Sequence, residues 1–96
     1  MSIVSAYEMV KKAHKAIIAY QMEIMRTSVC NSIEGAASKG YYATETKYGL
    51  SFECTDEVSA FIVDLKKAGY HVLHTVEPTD KSTWTHMFVI NWDHML

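Results

Sequence analysis

Apolar residues in the first quarter of the chain recur with a helical period. Ile3, Val10, Ile17 and Ile24 are spaced by sevens, Ala6, Ala13 and Tyr20 fall between them, and no glycine or proline interrupts the run before Gly35. Ser5 followed by Glu8 is a capping-box pattern, in which hydroxyl and carboxylate each satisfy a backbone N–H left orphaned at a helix start. The spacing predicts one long amphipathic helix from near Ser5, or a turn earlier at Ser2, to about Arg26. Val4, Ile18, Met22 and Met25 widen its apolar face beyond a two-position seam. The stretch Thr27 to Ser32 is weak helix material, because β-branched and short polar side chains compete with the helical backbone. The helix therefore either continues through a soft spot or restarts as a short one from Ser32 to Lys39. Ile33, Ala36 and Ala37 then face inward, and Gly40 serves as the left-handed cap.

The pattern then changes period. Residues 41–48 alternate and are rich in aromatic and β-branched types, which predicts a half-buried strand. Thr55 or Asp56 caps a second helix running to about Ala68, with Val58, Phe61, Ile62 and Leu65 on one face and Lys66 and Lys67 in its last turn. Strands at about Tyr70–Glu77 and Thr85–Trp92 flank a polar loop containing Pro78, Thr79, Asp80 and Lys81, the signature of an antiparallel hairpin. In the last strand His86, Phe88, Ile90 and Trp92 point one way and Met87 and Val89 the other. One sheet face is expected on the second helix, the other under the N-terminal helix, a second subunit or a partner. The expected class is α+β: a long N-terminal helix followed by a β-α-β-β unit with a small three-stranded, mostly antiparallel sheet. The chain reads as a single domain over 1–96, with a helical arm at 2–39 and the β-α-β-β unit at 40–96.

Composition narrows the function classes. Ninety-six residues suffice for one modest core, and 49% apolar residues with a single proline mark an ordered chain. A net charge of −2 and a pI near 6.2 give no general electrostatic reason for binding a phosphate backbone. Glu8, Lys11, Lys12, His14 and Lys15 break up the apolar run that a signal peptide would need. No window approaches the length of a membrane span. Lys11, Lys12, Lys15 and Arg26 form a basic side of the first helix that reads as a solvated face.

Candidate chemistry is sparse. His71 and His74 face opposite sides of a strand and cannot share an ion from regular geometry, while His74 and His86 are placed to pair across the hairpin. Half-exposed structural histidines fit the five-histidine pattern better than a metal site. Cys30 and Cys54 lack partners at metal-ligand spacing and read as reduced thiols. Cys54, beside Glu53 and just ahead of a helix start, is the best nucleophile in the chain. Asp56 and Glu57 are adjacent and suit a helix first turn better than acid–base work. The glycines at 35, 40, 49 and 69 read as caps and turns rather than a phosphate loop. Neither catalytic nor metal residues nor a cofactor are expected.

The run Ile33-x-x-Ala36-Ala37-x-x-Gly40, then Leu65-x-x-x-Gly69-Tyr70-x-Val72, then Ile90-x-Trp92, resembles a layout common among small proteins of tailed bacteriophages. It covers roughly residues 30–92. The resemblance implies a helix, strand, helix, hairpin unit with a helical extension, in proteins that assemble with themselves or with virion components.

A helix of more than twenty residues presents more apolar surface than so small a sheet can cover, so part of it is expected to meet another chain. The alternative is that it folds wholly back over the sheet. The expected function is noncatalytic association, as a small virion or assembly component that self-associates through Val10, Ile17, Tyr20, Ile24 and Met25. The alternative function is a host-takeover or antidefence factor that blocks a host protein through the edge of the first strand or Tyr41, Tyr42 and Tyr48. Expected partners are a second copy and a viral or host protein, with no membrane and no nucleic acid. The expected location is the cytoplasm of the infected cell, or the virion.

Overall fold

The computed structural model describes residues 3–53, 55–80 and 82–96. The first helix, α1, runs unbroken over Ala6–Ser38. Ser5 caps it, its side chain accepting a hydrogen bond from the Glu8 N–H at 3.2 Å. Thr27 to Ser32 do not interrupt it, because Val29 and Ile33 are buried and tertiary packing outweighs weak local propensity. The helix ends in a Schellman arrangement. The Gly40 N–H donates to Ala37 O and the Tyr41 N–H to Ala36 O, with Gly40 at φ 85°, a conformation that costs glycine least.

Strand β1 follows at Ala43–Leu50, two residues later than expected, because Tyr41 is taken up in closing α1. The second helix, α2, spans Asp56–Lys67 and is capped by Thr55, which accepts from the Val58 N–H. It ends like α1, with Gly69 at φ 104° donating to Lys66 O and Tyr70 donating to Leu65 O. Asp56 and Glu57 occupy its first turn and Lys66 and Lys67 its last, so both termini complement the helix dipole. Gly35 and Gly49, by contrast with the expected caps, lie inside α1 and β1.

Strands β2 (His71–Pro78) and β3 (Trp84–Asn91) form the hairpin. In the loop, Asp80 accepts from the N–H groups of Ser82 at 2.8 Å and Thr83 at 3.0 Å. These bonds, the Ser82 N–H first and then the Thr83 hydroxyl, hold its carboxyl below the usual carboxylate range. The sheet is fully antiparallel in the order β1-β3-β2, with Thr46 opposite Phe88 on one side and His74 opposite Phe88 on the other.

Both helices pack on the same face of this sheet. Met22, Met25, Val29 and Ile33 of α1, Val58, Phe61 and Leu65 of α2, and Leu50, Phe88 and Ile90 of the sheet make one core. Strand alternation sends Met87 and Val89 to the opposite face, which neither helix reaches. Of the three candidates to cover that second face, α1 is thus removed. Three strands offer α1 only a short platform, and α1 and α2 share it. Among the described residues, no helix is long and apolar enough to cross a membrane.

Candidate interaction surface

A 33-residue helix is about 50 Å long, far more than an eight-residue strand can match. Only its C-terminal half is rooted: Met22, Met25, Val29 and Ile33 are buried, with Ile18 partly so. Residues 6–17 run on past the sheet as a free arm, every one of them exposed, and this accounts for the 61 Å long axis of the molecule.

The heptad row lies on neither of the sheet-facing positions nor the α2 side. At 100° per residue, Val10, Ile17 and Ile24 sit about 100° round the helix from the Met22, Met25 and Val29 face. Arg26 marks the opposite flank, where its guanidinium bonds Asp64 of α2 at 3.1 Å and lies 4.9 Å over the Phe61 ring. Gln21, beside the row, accepts from the Ser51 N–H just after β1 at 3.0 Å. The row therefore looks outward on the β1 side. Ile3 is 96% exposed, Tyr20 66%, and Val10, Ile17 and Ile24 about half, at 52%, 47% and 48%. Ile17 and Ile18 also line an open groove of about 400 Å³ with His14, Ser51 and Phe52, where the arm leaves the body.

Met25 is the exception among the residues assigned to this surface. It is 1% exposed, sealed in the core, because it follows Ile24 by 100° and that turn carries it onto the sheet. Its side chain is not available to a second chain. Tyr41, Tyr42 and Tyr48 are not gathered into one patch either. Tyr41 and Tyr42 are exposed just before β1, whereas Tyr48, about 20 Å further along the strand, is half-buried with its ring 6.5 Å from that of Phe88.

A second cluster lies beneath the helices. The expected cross-strand pair forms, His74 Nε2 lying 2.9 Å from His86 Nδ1. His86 is fully buried rather than half-exposed, and its Nε2 lies 2.7 Å from Phe52 O. A carbonyl only accepts, so Nε2 of His86 carries the hydrogen in that contact, and one hydrogen is shared between His74 Nε2 and His86 Nδ1. His74 stacks on Phe88 with centroids 4.7 Å apart. Burial first, and the His86 ring second, hold its pKa below the ordinary value of 6.5. The chain His74, His86, Phe52 ties the hairpin to the segment after β1, and every polar atom that the pairing uses is satisfied. On the surface, His71 and His94 stack in parallel at 3.6 Å, and His94 Nε2 bonds Gly69 O. Among the described residues, no group of three or more histidine, cysteine or acidic side chains is placed to hold a metal ion. Cys30 is a free, exposed thiol on α1, and Cys54, the candidate nucleophile, lies outside the described residues.

Comparison with protein-family models, with curated proteins and with solved structures finds no match to this chain.

Proposed function

We propose that the protein is noncatalytic and acts by association with other proteins, self-associating through the exposed row of its N-terminal helix as a small virion or assembly component of a tailed bacteriophage. Its place of action is then the cytoplasm of the infected cell or the particle itself. One observation carries the association: the core closes with only the C-terminal half of α1, while Ile3, Val10, Ile17, Tyr20 and Ile24 stay open to solvent. Apolar side chains in a continuous row gain roughly 25 cal/mol for each Å² withdrawn from water, and nothing within the described chain withdraws these. The phage assignment is carried by the layout of residues 30–92 alone.

Replacing Ile17 and Ile24 together with Asp is expected to reduce the mass measured by light scattering to that of one chain, with the far-ultraviolet circular dichroism of the sheet unit retained. An unchanged mass would sink the reading. A host-blocking role through Tyr41 and Tyr42 is the second reading, favoured by their exposure at the free β1 edge. Incorporation into purified particles supports the first role, and stoichiometric recovery with a single host enzyme the second.

A further inference from the structure

The row carries information about geometry as well as stickiness. Written as a heptad, Val10, Ile17 and Ile24 hold one seam position of α1 and Ala6, Ala13, Tyr20 and Thr27 the other, with Ile3 just ahead of the helix. We infer that the occupant of this row is a second copy of the chain lying antiparallel to the first, with Ile24 against the partner's Ala6, Ile17 against the partner's Ala13, and Val10 against the partner's Tyr20. This rests on the self-association reading and specifies its geometry.

Volume decides the direction. In a parallel, in-register pair each layer holds two copies of one residue, so two isoleucines alternate with two alanines and two Tyr20 rings meet face on. Such a seam is overfilled and empty by turns, whereas packed interiors are filled evenly and tolerate few voids. In the antiparallel pair every layer from Ala6 to Ile24 combines one β-branched side chain with a residue from the other seam position. Three of the six layers repeat the other three by two-fold symmetry, and four hold one isoleucine and one alanine. β-Branched residues at the first position favour parallel dimers when leucine fills the second, but alanine and tyrosine stand there instead.

Charge and area agree with this pairing. The positions flanking the seam are Tyr7, His14 and Gln21 on one side and Met9, Ala16 and Glu23 on the other, so no two like-charged lysines are forced together. Lys11, Lys12 and Lys15 lie on the remaining surface, with Lys11 4.8 Å over the Tyr7 ring. The helical stretch available for pairing, residues 6–27, is about 32 Å long. Half the girth of a helix over that length offers roughly 500 Å² per chain, or about 1,000 Å² in all, the minimum size of a specific interface. The two sheet units then lie at opposite ends and need not touch.

Single cysteines distinguish the geometries in the full chain, with Cys30 and Cys54 replaced by serine. Val10→Cys and Tyr20→Cys are placed on chains carrying tags of different size and oxidised alone and mixed. Both sites are exposed, so the fold is kept, and circular dichroism checks it. The expected result is a disulfide in the mixture at least tenfold more abundant than in either chain alone. Efficient linking of Val10→Cys to itself overturns the antiparallel pair while leaving self-association standing, as does a parent chain of dimeric mass that forms no mixed disulfide. A parent chain of monomeric mass removes the self-association reading as well.

Discussion

Ile24 and Met25 are neighbours on one helix, similar in size and apolarity, yet one is 48% exposed and the other 1%. The contrast extends along α1. Met22, Met25, Val29 and Ile33 lie on the sheet and share a core with Phe61 and Phe88, whereas Val10, Ile17, Tyr20 and Ile24 follow a seven-residue repeat into solvent. Two apolar rows, about 100° apart on one cylinder, have different employments. An apolar period marks a row along a helix; which row meets the sheet depends on where the sheet lies.

The sharpest way to break this contrast is to truncate the two neighbours. Met25→Ala is expected to cost about 2–5 kcal/mol of unfolding free energy, because it empties a sealed position between the sheet and both helices. Ile24→Ala is expected to change the free energy of dilute, separated chains by less than about 0.5 kcal/mol. Denaturant titration of both gives the comparison, and equal losses would show that the row is rooted too.

His74, beneath the rooted half, adds a pH dependence to the stability of the body. His74 has its folded pKa below 6.5, so between that pKa and 6.5 the unfolded chain holds more protons than the folded one. Stability is therefore complete above about pH 6.5, declines as pH falls from there toward the folded pKa, and levels off below it. His74→Phe is expected to flatten this decline in urea titrations between pH 7 and 5. An unaltered slope would assign the protons elsewhere.

Two smaller substitutions sharpen the picture of the body alone. Thr46 is buried on the helix-facing side of β1, with no hydrogen-bond partner for its hydroxyl among the described residues, and Thr46→Val is expected to stabilise by about 1 kcal/mol. Gly35 sits inside the rooted half of α1, and a Cβ there would have nothing within 4 Å. Gly35→Ala is expected to add about 0.5–1 kcal/mol through helix propensity alone. Thermal melting checks both, and a loss of stability in either would contradict the space or the missing bond inferred at that site.

Much of the fold was legible because its signals are local. Ser5 and Thr55 cap helices with their own side chains, Gly40 and Gly69 take the positive φ that closes them, and strand alternation places His74 and His86 on the same sheet face. The row Val10, Ile17 and Ile24, with Tyr20 beside it, was legible for the same reason, as a period in the chain; its exposure was not. Met25 was misassigned because apolarity does not record direction. The buried Phe52 carbonyl that orients His86 has no sequence signal at all, since every residue carries one.

The sequence by itself determined the element order, the caps, the periods of the two helices and three strands, and the excess of apolar surface on α1, because each depends on chemistry within a few residues. The tertiary structure alone decided that both helices share one sheet face, that α1 stays continuous past Thr27, and that the heptad row looks outward. Those outcomes depend on burial summed over distant segments. A platform of three strands in the order β1-β3-β2 accommodates α2 and half of α1, and the remainder of the helix is left exposed.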